Sequence, residues 1–410
     1  MPEFLTVLPP DEALAKLFEY LSAQPQPELI PAADSLNRVT FEAVRAPGPL
    51  PAFPRSTMDG YAVRARDTFG ASQSLPAYLT IVGEVPMGRA PALDLQPAQA
   101  ALIHTGGMIP AGADAVVQIE LTQQTRDDEI EVLKAVAPGE NILRVGDDLS
   151  EGETILPAGH WIRPQDLGGL SALGVTRLRV GRRPRVALLA TGDEIVPPDS
   201  EAGPGQVRDV NSFAASGQIE RAGGIPIRYG IAPDNFKQLK RAAESALAEC
   251  DALVLSAGSS VSARDMTAEV IAQLGKPGVI VHGVAVKPGK PSILAVANGK
   301  PVFGLPGNPV SAMVIADLFV ATTVYRLQGC AAPPAHRSVR AKITHNLPSQ
   351  AGRVDYTPAR LVAREGEQWA EPIFGKSNQI FTLVFADGMI ITPRDSNGLS
   401  AGEVVEVRLF

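Results

Sequence analysis

The run Arg185-Val186-Ala187-Leu188-Leu189-Ala190-Thr191-Gly192-Asp193-Glu194 decides the fold. An unbroken apolar stretch that ends abruptly in a polar turn reads as a strand buried on both faces, the kind found inside parallel sheets. The same unit recurs downstream. Strands are expected at 225–231, 252–255, 279–286, 292–296 and 301–305, and helices at 211–222, 236–248, 265–274 and Pro309–Leu327. Strands alternating with helices over 184–328 specify a doubly wound α/β domain with a mostly parallel sheet. Right-handed crossovers then bring the carboxyl ends of the strands to one edge, where such sheets bind ligands.

The residues at that edge are polar and cannot be core. They are Thr191-Gly192-Asp193-Glu194, then Ser256-Ala257-Gly258-Ser259-Ser260 running on to Asp265, then Lys287-Pro288-Gly289-Lys290-Pro291, then Pro306-Gly307-Asn308-Pro309. Each alone could be an ordinary strand-to-helix turn. Together they make a pocket. Loops rich in Gly and Ser that open helices present backbone N–H groups to an anion. Lys287 and Lys290 add two positive charges between prolines, which suits a phosphate or a tetrahedral oxyanion, although a solvated turn is the plain alternative. Asp193, Glu194, Asp234 and Asp265 would repel such a ligand. Either a hard divalent cation, Mg²⁺ being the usual choice, bridges carboxylates and phosphate, or one carboxyl group is protonated. Asp234 in Pro233-Asp234-Asn235 can instead cap a helix, and Asn211 and Ser212 stand at another helix start.

Outward from this domain the pattern changes. Residues 11–23 carry Leu14, Leu17, Phe18 and Leu21 on one helical face, with Asp11 placed to cap the first turn. Short β-like runs at 78–82, 100–104 and 115–120, separated by Gly and Pro, indicate a small β-rich domain at 51–138. A segment with a helix near 164–173 pairs with the N-terminus as a discontinuous linking domain, 1–50 and 139–180. The α/β domain occupies 181–330. Strand runs at 338–343, 355–362, 379–385, 389–392 and 404–409 point to a C-terminal β-barrel at 334–410.

Composition removes several function classes. The 410 residues carry a formal net charge of −7 and no long basic stripe, which argues against nucleic-acid binding. Arg182 and Arg183 read as a solvated turn between domains. The two cysteines, Cys250 and Cys330, are far apart, and no Cys-x-x-Cys occurs, so a thiolate zinc site is not expected. The five histidines are scattered and read as structural or surface residues. No signal-like N-terminus is present, and the apolar stretch 310–325 is interrupted by Asp317, so the expectation is a cytoplasmic enzyme without a membrane partner.

Several ordered segments carry a family likeness. Met58-Asp59-Gly60-Tyr61-Ala62, Thr105-Gly106-Gly107 through Pro110, Gly112 and Asp114-Ala115-Val116-Val117, and Gly146-Asp147-Asp148 resemble motifs of the MoeA family of molybdopterin molybdenumtransferases, which is related to the C-terminal part of gephyrin. The Thr191–Glu194, Lys287–Pro291 and Leu305–Ser311 segments and the closing Ala401-Gly402-Glu403-Val404-Val405-Glu406-Val407 are similar to its other signatures. One motif departs: Ala257 and Ser262 stand where the family has glycine.

The resemblance implies a MoaB/Mog-like central domain and a transferase of molybdenum cofactor biosynthesis. It would insert molybdenum from molybdate into adenylylated molybdopterin and release AMP, with Mg²⁺ on Glu194 and Asp265. By resemblance Asp59, Glu194, Asp265, Lys287 and Lys290 are catalytic. Thr105, Asp148, Thr191, Gly192, Asp193, Asn211, Ser212, Asp234, Gly258, Ser259, Ser260, Pro306, Gly307, Asn308, Pro309, Arg353 and Ser377 would bind the pterin nucleotide and oxyanion. It also implies a homodimer and contact with other proteins of the pathway. A non-catalytic gephyrin-like pterin-binding or scaffolding protein, or a tungstate-inserting paralogue, is the alternative.

Overall fold

The computed structural model describes residues 7–257 and 261–410. The chain divides into two compact units. One holds residues up to Glu42, Ala158–Leu167 and Arg177–Phe410, and the other holds Ala43–Pro157 and Gly168–Thr176.

In the larger unit the α/β domain is built from β1 (Arg185–Thr191), α1 (Asn211–Arg221), β2 (Ile225–Ala232), α2 (Phe236–Glu249), β3 (Ala252–Ala257), α3 (Val261–Gln273), β4 (Pro277–His282), β5 (Ile293–Ala297) and β6 (Lys300–Leu305). The sheet order is β2-β1-β3-β6-β5-β4. The first four strands are mutually parallel, and β5 runs against both β6 and β4. Alternation along β1 explains the two helical layers. Val186 and Leu188 face a core shared with Ile219 of α1 and with Phe319 and Val324 of the long helix after β6. Ala187 and Leu189 face the opposite core, with Leu239 and Ala243 of α2 and Val270 and Ile271 of α3. Such fully buried aliphatic side chains each contribute roughly 1.5–3 kcal/mol.

Several local expectations need correction. The N-terminal helix is Pro10–Tyr20, with Pro9 at the N-cap and Pro10 in the first turn, so no side chain caps it and Asp11 does not. It lays Ala13 and Leu17 into the first of those cores, against β4 and β5. Arg182 and Arg183 are not a merely solvated turn. Arg182 donates to Asp251 at 2.7 Å, and Arg183 donates to the carbonyls of Gly223 and Gly224. The expected strand at 279–286 is split. β4 stops at His282, and Val286–Lys287 leaves to pair with the next domain. The long helix Pro309–Leu327 has 19 residues and a π-helical middle, Ala316–Ala321. Among the described residues it is the helix long and apolar enough to cross a bilayer, and 67% of its apolar window is buried inside the protein.

The C-terminal strands are β7 (Ser338–Ile343), β8 (Val354–Arg364), β9 (Glu367–Pro372), β10 (Gly388–Thr392) and β11 (Val404–Leu409). They pair in the order β8-β9-β7-β11-β10, and β10 returns to β8, closing a five-stranded barrel around Ile343, Ala359, Ala370, Ile390 and Val407. The run 379–385, expected as a strand, forms the short helix Phe381–Val384 instead. Its aromatic and β-branched residues favour a strand only where a pairing edge is offered, and the barrel closes without it.

The smaller unit contains a six-stranded sheet ordered Ala115–Gln118, Gly60–Val63, Gln99–Ile103, Ala77–Glu84, Glu129–Val132 and Thr122–Arg126. Its two faces pack separately, Val63, Leu79 and Val117 on one and Ala62, Ile103 and Val116 on the other. Gly60 sits where a Cβ would lie 1.9 Å from the Val117 carbonyl oxygen, so backbone closeness excludes any side chain.

Two predictions follow from these local structures. Gly60→Ala should destabilise the protein by about 1–3 kcal/mol through overpacking, read as a lower denaturation midpoint; an unchanged midpoint would refute the tight approach. Asp166 is buried, which by itself raises a carboxyl pKa. Hydrogen bonds from the side chain and backbone of Arg163 and from His160 outweigh this and hold it at about 2. Because the folded value lies below the unfolded one of about 3.9, the stabilisation is complete above about pH 4 and vanishes as pH falls towards 2. Asp166→Asn should therefore cost about 2 kcal/mol at pH 7 and little near pH 2; an equal loss at both pH values would contradict it.

Candidate functional site

Strand register assembles the edge. Thr191 lies beside both Ala232 and Ala257, and Ser256 lies beside Leu305, so the turns after β1, β2, β3 and β6 emerge together. The Thr191 hydroxyl donates to Asp234 at 3.1 Å, and the Asp234 backbone N–H donates to Asp193 at 3.1 Å. The helix-capping role open to Asp234 falls to Asn235, whose side chain accepts from the Gln238 N–H. Asp234 is thereby left on the edge, facing Thr191.

Asn211 opens α1 without capping it. Its amide nitrogen donates to the Ser256 hydroxyl at 2.8 Å and to the Gly307 carbonyl at 2.9 Å. Both amide protons are spent fastening two loops, so they are not free for phosphate, while its oxygen is buried without a partner. Ser212 is buried, and its backbone N–H is held by Asp209.

The Gly307 loop borders a cavity of about 1100 Å³ between the α/β domain and the barrel. Lys287, Lys290, Pro306 and Asn308 line one side, and Arg353, Asp355, Lys376 and Ser377 the other. The Asn308 amide donates to the Ser377 hydroxyl at 2.7 Å, and the Val310 N–H donates to the Ser377 carbonyl at 3.0 Å, so the two sides are tied together. Between Lys287 and Lys290, Gly289 has a φ of +122°, and a Cβ there would lie 2.8 Å from Ile315. That explains the glycine in Lys-Pro-Gly-Lys-Pro. Lys287 lies 3.6 Å from the carboxylate of Asp355, and the Arg353 guanidinium donates to the same group at 2.9 Å. Among the described residues the cavity is thus lined by four cations, Lys287, Lys290, Arg353 and Lys376, against one carboxylate, Asp355. A chain of net charge −7 has built a positive hollow, and anions are the ligands it suits.

The carboxylates expected beside these cations do not line that cavity. Asp193 and Asp234 are exposed, Glu194 is half-buried, and Asp265 is exposed on α3. Thr191 and Gly192 are buried at the end of β1, and Pro309 begins the long helix. Gly258, Ser259 and Ser260 lie outside the described residues. Among the described residues no three acidic, His or Cys side chains cluster closely enough to hold a metal unaided. Of the expected donors, Asp193 and Asp234 are brought together on that edge by the Asp234 N–H and the Thr191 hydroxyl.

In the smaller unit Asp59 accepts the Thr105 backbone N–H at 2.8 Å, and His104 lies 3.6 Å away. The Thr105 bond is the main reason its carboxyl lies below the usual range. Asp148 is exposed in the turn after Gly146, and its backbone N–H donates to Leu50. Sequence reasoning missed Asp355 and Lys376. Asp355 stands two residues after Arg353 on a β-run, and that spacing, which sets both on one strand face, was the available signal.

A family model described as "MoeA N-terminal region (domain I and II)" matches residues 8–174. "Probable molybdopterin binding domain" matches 187–326, and "MoeA C-terminal region (domain IV)" matches 340–410. The chain is 32% identical to the molybdopterin molybdenumtransferase of Bacillus subtilis, over 100% of this chain and 96% of that protein. It is 33% identical to molybdopterin molybdenumtransferase 2 of Mycobacterium tuberculosis, over 93% of this chain and 95% of the relative. The crystal structure of a molybdopterin biosynthesis MoeA protein from Pyrococcus horikoshii OT3 superimposes with a TM-score of 0.85 at 31% identity, covering 99% of this chain and 100% of that one. Agreement of sequence, domain order and fold along the whole length places this chain in the MoeA family.

Proposed function

We propose that this protein works in molybdenum cofactor biosynthesis as a molybdopterin molybdenumtransferase, taking adenylylated molybdopterin and molybdate and releasing AMP as molybdenum is placed on the pterin. The observation that carries the reading is the cationic cavity. Both substrates are polyanions, one a phosphoanhydride and the other a tetrahedral dianion, and four cations surround a space large enough for them.

In this reading Lys287 and Lys290, exposed on a loop stiffened by Pro288 and Pro291, bind the oxyanions and offset charge that builds up as the phosphoanhydride breaks. Arg353 and Lys376 hold the barrel side of the ligand. The Asn308–Ser377 bond keeps the two walls at fixed spacing. In this reading Glu194 and Asp265 would hold Mg²⁺, which when bound supplies charge neutralisation at the phosphate oxygens. Asp59 belongs to the proposed catalytic set, Thr105 to the binding set, and the acting species is a homodimer.

The test is AMP release from adenylylated molybdopterin, with molybdate and Mg²⁺, by the purified chain. Lys287→Ala and Asp265→Ala should each slow release by roughly 10²–10³-fold. Release by both variants at the unaltered rate would overturn the site. Tight pterin binding with no turnover would instead favour the non-catalytic reading suggested by Ala257 and Ser262. Metal analysis of the product after offering molybdate and tungstate together decides which oxyanion is used. Light scattering should give twice the chain mass, and a monomer at working concentration would remove the dimer from the proposal.

A further inference from the structure

Asp355 is the carboxylate that the cavity's chemistry does not ask for. It lies among four cations in a hollow suited to anions, and it is the least exposed of the five charged groups there, with 7% of its side chain accessible. Its environment is built. Val354 and Asp355 pair in parallel with Val286 and Lys287, and the Val354 N–H donates to the Ala285 carbonyl at 2.9 Å, so the backbone fixes where the carboxylate stands. One oxygen accepts the Arg353 Nε–H at 2.9 Å; the other takes a longer contact of 3.5 Å from Arg353 Nη2 and lies 3.6 Å from Lys287 Nζ.

The two bonds differ in kind. The Arg353 contact is a short, oriented hydrogen bond to a planar donor. The Lys287 contact is longer than a hydrogen bond and involves an ammonium whose side chain is 57% exposed. Arg353 is therefore anchored, whereas Lys287 is tethered and can exchange partners.

We propose that Asp355 is a positioning residue that orients Arg353 and competes with the incoming oxyanion for Lys287, lowering the cleft's affinity for anions so that they bind and leave. The inference deepens the proposed function and rests on it for the meaning of turnover, but not for the meaning of anion binding. The physical basis is charge balance. With Asp355 present the lining carries four positive charges against one negative; without it, four against none. A dianion gains from that change, but it meets an Arg353 that is no longer aimed.

The experiment titrates molybdate alone, and separately inorganic phosphate, into the full-length protein by calorimetry, and measures AMP release on the same preparations. Asp355→Asn should tighten anion binding by about tenfold, an effect that high salt erases, while kcat for AMP release falls by about ten- to a hundredfold. Asp355→Glu keeps the charge and shifts the geometry, so it should leave the anion Kd near the parent value and still lower kcat. Weaker anion binding in a folded Asp355→Asn protein, or an unchanged Kd, would overturn the proposal, because a merely structural residue would loosen the site. If Asp355→Asn fails to fold, Asp355→Glu decides, and an unaltered kcat there overturns the positioning role. If the parent protein releases no AMP, the proposed function fails while the anion titrations still judge Asp355.

Discussion

The polar edge of the α/β domain follows from four parallel strands ending level with one another. Because Thr191, Ala232, Ala257 and Leu305 close their strands at matching heights, turns far apart in the chain emerge as neighbours. The hydrogen bonds of Asn211 to Ser256 and Gly307, and of Thr191 to Asp234, are only available because of that alignment. A slip of one residue in β3 would turn Ser256 to the other face and separate Asn211 from one of its two partners. The barrel then completes the arrangement by placing Arg353, Lys376 and Ser377 opposite the strand ends.

The charge distribution shows why composition alone misleads about ligands. A chain of net charge −7 gathers four cations against one carboxylate in a single cavity. Cations inside a cleft with low-dielectric walls act on a ligand more strongly than the same groups spread over the surface. A net charge of −7 is fully compatible with a small polyanion held by a few residues.

The α/β domain was legible because its strands are apolar on both faces and its helices carry a clear stripe. Residues 185–190 and 301–305 admit few other readings. The loops were legible as a group, since polar residues at successive strand ends must share an edge. Most of what escaped depends on pairings made only in three dimensions. Asp355 stands beside Lys287, a residue distant in sequence that a short strand pairing brings alongside. The run 379–385 had strand composition but no edge to join. Asp11 and Asp234 were placed near helix starts by sequence, whereas Pro9 and Asn235 take the caps, because the cap depends on the backbone angle of one residue. The loop Gly258-Ser259-Ser260 lies outside the described residues, and its part in the site rests on the sequence.

The stretch between β4 and β5 serves two domains at once. It leaves the α/β sheet at His282, lends Val286 and Lys287 to the barrel's strand β8, and returns to the sheet at Ile293. A peptide shared in this way acts as a selvedge sewn into two fabrics. Prising the walls apart would break the main-chain hydrogen bonds that tie this stretch to β8, so opening the hollow carries a cost in backbone pairing.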